Sequence, residues 1–391
     1  IAKKIALRSA ENGNVHSLIA LIDRGFDFLT ADYLIPTAAI NGFYRFSKIL
    51  YDLYVKNADE KRMKKILSGF HFPSFVIFGN IFIFKMFIKN MNQNDFEQCL
   101  AIAVEKEYID IIHFYFDTLF KENVKLRADG LLPSLNYSVM KKSNEIFYYL
   151  IENCMKINPN IFKQFQWTSK VLPSACEYKN FEAVKTIIDI IIKDKQEFEK
   201  SNENKENLFY YSRGLSFTDS FLLAIISKSL EICKYFIQNE VKIDFDSIVN
   251  SKDKLRHADA EIFSLVYENC SQVAKQIIKE DYLQTTIQVK NKSLTNFLIN
   301  LNITYPNVLI DAVKTLDVDL VAIVIKHNST PAFINKITDK GTALCIAASK
   351  NNLQIVKLLL SLQGIDPTLY NKYNETPLLI AVNDLEKCSD I

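Results

Sequence analysis

GTALCIAASKNNLQIVKLLLSLQGIDPTLYN, residues 341–371, decides how the whole chain is read. Apolar residues gather around Ala347-Ala348, break at Lys350-Asn351-Asn352, and return at Leu353, Ile355, Val356, Leu359 and Leu360 with helical spacing. This pattern predicts a short helix, a polar turn and a second helix antiparallel to the first. NETPLLIAVND, from Asn374, repeats the opening, so Thr342 and Thr376 stand 34 residues apart.

The same frame slides backward along the chain through SAENGNVHSLIALI, TAAINGFYRFSKILY, SFVIFGNIFIFKMFI, IAVEKEYIDIIHFYF, YSVMKKSNEIFYYLI, SACEYKNFEAVKTII, LAIISKSLEICKYFI and DAVKTLDVDLVAIVI. With the residue equivalent to Ala347 as anchor, the units sit at Ser9, Ala38, Phe75, Ala103, Ser138, Ala175, Ala224, Ala312, Ala347 and Ala381. Two weaker units, anchored near Leu265 and Thr286, fill the remaining gap, and the mean step is about 34 residues. The positions equivalent to Leu359 and Leu360 are apolar in each of the units anchored from Ser9 to Ala312, Ile277 and Ile278 in the unit near Leu265 among them, whereas a composition of 49% hydrophobic residues would leave about half of them polar by chance. Gly25, Asn90, Asn153, Asn239, Asn328 and Gly364 follow the last apolar positions, where a left-handed residue is expected to close each second helix.

At TALCIAASKNNLQIVKLLLSLQGIDP, NKYNETPLLIAV and SAENGNVHSLIALIDRGFDF the chain resembles the ankyrin-repeat family, in the divergent form common in protist proteins. The resemblance implies an all-α, ankyrin-like α-solenoid of about 12 stacked helix-pair units, mostly without β-hairpin fingers. It departs from the family where Cys345 and Leu379 replace the histidine of the T-P-L-H motif, so the Thr–His bonding between neighbouring units is expected to be absent. The expected organisation is one continuous array. Residues 1–192 form its N-terminal part, 193–216 a polar inserted loop, and 217–391 its C-terminal part. Lys193 to Asn207 hold four Lys and five acids with Phe198 as the single aromatic, too little apolar surface to order a loop. This insertion reads as a tolerated surface loop, with a docking segment as the alternative.

Composition narrows the function. Gly 9 and Pro 9 in 391 residues leave little material for hairpins or glycine-rich phosphate loops. Forty-seven Lys+Arg against 45 Asp+Glu give a net charge of +2 and no field for nucleic acid or an anionic membrane. Seven dispersed cysteines with no C-x-x-C suit reduced thiols inside a cell, so the expected location is intracellular, cytoplasmic or cytoskeletal. The five histidines are too far apart for helical metal-ligand pairs, and neither a metal nor a cofactor is expected. The apolar stretch Phe70–Ile88 is interrupted by Pro73, Gly79, Asn80 and Lys85, so it reads as a buried helix pair and not as a membrane span. The basic run Lys61-Arg62-Met63-Lys64-Lys65 lacks interleaved aromatic residues and reads as a solvated helix face. Trp167 reads as packing between two units, with an exposed anchor as the alternative.

Nucleophile, acid/base and phosphate-binding motifs are missing from the sequence, so the chain reads as a non-enzyme. An array of helix pairs offers a long surface to proteins or extended peptides. The leading expectation is a protein-interaction scaffold or adaptor with partners on the concave face. A fixed component of a cytoskeletal or axonemal assembly is the alternative, suggested by a start at Ile1 without Met and a stop at Ile391 where a second helix is due. A regulatory arm of an enzyme would need a catalytic domain outside these residues. The resemblance places the candidate contacts on two finger tips, Thr338-Asp339-Lys340 and Asn371-Lys372-Tyr373.

Overall fold

The computed structural model describes residues 1–26, 34–55, 72–77, 91–122, 127–157, 167–200 and 217–388, with single positions 79, 81, 84, 85 and 88. It forms two compact bodies, Ile1–Glu203 and Asn204–Ile391. The first contains α1 Ala2–Glu11, α2 Val15–Asp23, α3 Leu34–Ile40, α4 Tyr44–Leu50, α5 Phe72–Ile77, α6 Gln93–Glu105, α7 Ile109–Glu122, α8 Ala128–Lys141, α9 Asn144–Ile157, α10 Trp167–Glu177 and α11 Phe181–Lys200. The second contains α12 Thr218–Ile226, α13 Leu230–Gln238, α14 Phe245–Asn250, α15 Lys252–Leu255, α16 Ala260–Asn269, α17 Gln272–Gln288, α18 Lys292–Asn300, α19 Val308–Lys314, α20 Val318–His327, α21 Pro331–Ile334, α22 Ala343–Ser349, α23 Leu353–Leu360 and α24 Pro377–Cys388. The fold is an all-α array of stacked helix pairs, and the one β-bridge among the described residues joins Thr338 to Gly341.

One backbone device recurs at the centre of the pairs. Four positions after the anchor, Gly13, Gly42, Gly79, Glu107, Lys142, Lys179, Lys228, Lys290, Leu316 and Asn351 all have φ between 50 and 81°. One residue further, the N–H reaches back to the anchor carbonyl: Asn14 to Ser9 at 2.8 Å, Ser143 to Ser138 at 3.0 Å, Asn180 to Ala175 at 2.9 Å and Asn352 to Ala347 at 3.2 Å. This six-residue closure is the Schellman motif. It satisfies the last carbonyls of the first helix while turning the chain into the second. Small anchors matter for the same reason, because first helices from neighbouring units meet there; Ala38, Ala103, Ala175, Ala224, Ala312 and Ala347 are fully buried. Ser138 and Thr286, equally buried, return their hydroxyls to carbonyls of their own helices, Leu135 and Leu283.

Within the first body the first helices stack in the order α1, α3, α5, α6, α8, α10, and second helices meet as α2 on α4 and α7 on α9 on α11. In the second body α12, α14, α17, α19, α22 and α24 form the first-helix row, and α13, α16, α18, α20 and α23 the second. The residues equivalent to Leu359, among them Leu50, Tyr115, Leu150, Ile187, Phe236, Leu298 and Val324, are buried in the core between the rows.

Three expectations change. The frame anchored near Leu265 is wrong: α16, which carries Leu265, lies in the second-helix row, and its first helix is α14 with α15. Ile277 and Ile278 therefore belong to α17, a first helix whose own turn at Lys290 supports the Thr286 frame. The left-handed residues also sit elsewhere than Asn and Gly alone suggested. Gly25 and Gly364 have positive φ, but Asn153 lies inside α9, Asn239 hands the conformation to Glu240, and Asn328 is extended; Asn90 lies outside the described residues. Finally, α11 runs as far as Lys200, into the segment expected to be loop from residue 193. Lys, Gln and Glu are good helix formers, so poverty in apolar residues argues against burial and not against a helix. Residues 201–216, the basic run at 61–65 and the Trp167 side chain lie outside what is described.

The Phe70–Ile88 stretch is broken by the positive φ of Gly79 after α5, and Phe72, Val76, Phe84 and Ile88 are buried. Among the described residues no helix is long and apolar enough to cross a membrane. Cys99, Cys154, Cys176, Cys233, Cys270 and Cys345 are buried, with burial pushing the Cys154 and Cys233 thiols up to about 12, so these side chains act as small core residues.

Candidate functional site: the paired fingers

The two expected finger tips lie side by side in the second body. In the first, the Gly341 N–H donates to the Thr338 carbonyl at 2.8 Å, the Thr338 N–H returns a bond to the Gly341 carbonyl at 3.0 Å, and the Thr338 hydroxyl donates to the same oxygen at 2.9 Å. Gly341 has φ +90°, and a Cβ there would stand 2.7 Å from the Cys345 sulfur, so only glycine closes this turn against the next helix. Asp339 and Lys340 are left exposed at its tip, with Thr338 half-buried behind them.

Asn371 builds the second finger. Its Oδ1 accepts the N–H groups of Tyr373 at 2.9 Å and Glu375 at 3.1 Å, while Nδ2 donates to Glu375 Oε2 at 2.9 Å. This residue is buried and its polar atoms are engaged, so it organises the turn and is not available to a partner as the sequence reading had it. Lys372 and Tyr373 project instead: the tyrosine is 70% exposed and the ammonium lies 5.0 Å from its ring centroid. The Lys372 N–H donates to the Asp339 carbonyl at 3.4 Å, which links one finger to the other.

Behind the fingers, Cys345 does not leave the histidine's place empty. The Thr342 hydroxyl accepts the Cys345 N–H at 3.3 Å and lies 3.5 Å from its sulfur, and the thiol reaches the Leu369 carbonyl in the next unit at 3.6 Å. A sulfur-centred tie thus replaces the Thr–His tie expected to be absent. Nearby, Asn335 Nδ2 donates to the Gly364 carbonyl at 2.7 Å and its Oδ1 accepts the Asp366 N–H at 2.9 Å, so consecutive loops are held together at two points.

Sequence reasoning missed a second feature, on the first helices of the N-terminal body. Glu97 on α6 is buried and receives Arg127 from the start of α8, Nε to Oε1 at 3.0 Å, and Gln93 Nε2 at 3.0 Å. Gly130 makes the space: a Cβ there would meet the Glu97 carboxylate at 1.9 Å. The pair borders a cleft of about 540 Å³ with Ile102, Pro133 and Tyr137. Thirty positions separate the two charges, so no sequence spacing could have announced them. Among the described residues no group of three or more His, Cys, Asp or Glu side chains could hold a metal ion.

Stacked helix pairs, reversed by left-handed turns and joined through projecting hairpin fingers, define a repeat protein whose working surface is assembled from successive units. The family model for ankyrin repeats matches residues 309–391 in 3 copies, so the C-terminal units of this chain are ankyrin repeats. Among solved structures, the chain is similar to the ankyrin repeat domain of Bcl-3, a member of the IkappaB protein family, at 14% identity and a TM-score of 0.35, covering 55% of this chain and 97% of that one. No curated protein matches. Ankyrin repeats mediate protein–protein interaction and are a non-enzymatic interaction fold.

Proposed function

We propose that this chain is an interaction scaffold or adaptor whose second body holds a protein partner on the paired fingers. The observation that carries this reading is the arrangement of Lys340, Lys372 and Tyr373. All three are exposed on rigid, hydrogen-bonded turns, and the turns are joined to one another through Lys372 and Asp339. None of these side chains is needed to close the turns, which depend on Thr338, Gly341 and Asn371. The Lys372 ammonium against the exposed Tyr373 ring, with Lys340 exposed on the adjoining finger, suits a partner surface that presents carboxylates next to apolar groups.

The test is a triple change of Lys340, Lys372 and Tyr373 to Ala, compared with a double change of Lys185 and Lys357, exposed on the second helices. The triple variant should melt within about 2 °C of the parent, because exposed substitutions usually change stability by ~0.5 kcal/mol or less. Its capture of the partner should fall about tenfold, equivalent to ~1.4 kcal/mol. Unchanged capture by the triple variant, with loss in the Lys185 and Lys357 variant, would place the interface on the second helices.

A further inference from the structure

In the first body, one spot breaks three local rules at once, and a cleft lies beside it. Arg127 occupies the N-cap of α8 and makes no side-chain capping bond, where Ser, Thr, Asp or Asn would satisfy an orphan N–H. Gly130 stands in the first turn of the same helix, where it is weaker than Ala. Glu97 on α6 carries a carboxylate into the interior. The start of α6 shows the ordinary arrangement instead, with Asn92 accepting the Asp95 N–H at 2.9 Å.

Stability does not account for this cluster. The Glu97 side chain is 7% exposed, and taking a carboxylate out of water offsets most of what its pairing with an arginine returns, so an apolar pair of similar volume holds a fold as well or better. Proteins break such local rules where function requires it. What the cluster achieves is orientation. Glu97 engages the guanidinium through Nε and Nη2, Gly130 leaves room for the carboxylate to do so, and the Arg127 side chain stays 58% exposed. Among the residues lining the cleft these two carry the only charges, and the pair turns its positive end outward. Ile102, Pro133 and Tyr137 supply apolar walls, and the ten positions from Arg127 to Tyr137 correspond to about 15 Å of helix.

We propose that the cleft between α6 and α8 is a second partner site, which takes an extended peptide segment carrying a carboxylate beside large apolar side chains. The carboxylate meets the exposed guanidinium of Arg127, whose planar fork matches its geometry. The apolar side chains lie against Ile102, Pro133 and Tyr137. An extended chain advances about 3.3 Å per residue, so the lined length holds about four or five residues. The cleft is an interior feature of the array, because α5 packs on α6 and α10 on α8 in the same first-helix row. It lies wholly in the first body and shares no residue with the fingers.

The probe is a phage-displayed library of random peptides, panned on the full 391-residue chain and read against two variants. Glu97→Leu combined with Arg127→Gln removes both charges and should melt no more than about 2 °C below the parent. Arg127→Lys keeps Glu97 paired and lacks the planar fork. Panning should enrich peptides with Asp or Glu next to Leu, Phe, Tyr or Trp. Synthesised and labelled, these should bind the double variant at least about tenfold more weakly in fluorescence anisotropy, and Arg127→Lys several-fold more weakly. Replacing the peptide carboxylate by its amide should weaken binding by a similar factor, while the triple change of Lys340, Lys372 and Tyr373 to Ala should leave it unaltered. If no enriched peptide distinguishes the parent from the double variant, or if those that do bind equally well as amides, the assignment is overturned. So it is if the double variant melts more than about 5 °C below the parent, since the pair would then serve the fold.

Discussion

Asp317 shows how one side chain serves two elements. Its Oδ1 accepts the Leu320 N–H at 3.1 Å, capping α20, and lies 3.1 Å from Lys292 Nζ at the start of α18, which also reaches Asp319 at 2.7 Å. Burial pushes the Asp317 carboxyl upward, but the Leu320 N–H and Lys292 outweigh it and hold the group below its ordinary value of 3.8. A depressed carboxylate stabilises the fold above its unfolded value, and that contribution is lost as pH falls through the folded one. Asp317→Asn keeps a capping oxygen and loses only the charge, so it should cost about 0.5 kcal/mol at pH 7. Denaturant titrations should show this difference closing as pH drops below 3.8, and a gap that persists at low pH would mean that Lys292 contributes nothing through charge. Asp317→Ala removes the cap too and should cost about 1 kcal/mol or more at neutral pH.

The recurring turn is the element that fixes the array, and most of its left-handed residues are not glycine. Leu316, at φ 62° and 43% exposed, is the most costly of these on steric grounds. A left-handed L-residue costs roughly 1 to 2 kcal/mol, against roughly 0.5 to 1 kcal/mol for the extra unfolded-state freedom of glycine. Leu316→Gly should therefore raise the stability of the second body by about 0.5 kcal/mol, read as a higher urea midpoint at unchanged slope. Leu316→Val should lower it, since a β-branched residue fits that conformation worse. These turns also explain what the sequence made legible and what it did not. Alternation of small anchors with large aliphatic residues gave the frame in most units, because core volume cannot be disguised. Lys142, Lys179, Lys228 and Lys290 hid the turns, since nothing in a lysine announces a left-handed backbone. The unit near Leu265 was misframed for a related reason. Both helices of a pair are amphipathic, and the chain passes from α16 to α17 through an extended Cys270 without a left-handed marker, so hydrophobic spacing alone could not tell a second helix from a first. The finger tips were legible from Asp339–Lys340 and Lys372–Tyr373, but the inward role of Asn371 depends on a hydrogen-bond pattern that residue type does not reveal.

At the scale of the molecule, the division at Glu203 and Asn204 falls within the segment richest in charge and poorest in apolar residues. Since α11 extends to Lys200, trypsin should cut first at Lys205 or Arg213 and not at Lys193. Both fragments should keep helical circular dichroism, because each holds several pairs whose stability comes from nearest neighbours. Rapid first cleavage at Lys193 or Lys195, or loss of helix from either fragment, would contradict this division of the chain.

The six-residue closure of each turn has a consequence for synthesis. A pair is complete once about 34 residues have emerged, which takes roughly 2 to 7 s at ribosomal speeds of about 5 to 20 residues per second. Helices and short loops form in microseconds or less, so each pair can close on its predecessor before the next one is made. Within each body, position along the polypeptide is therefore also order of assembly in time, and an early pair can serve as the template for the one that follows it off the ribosome.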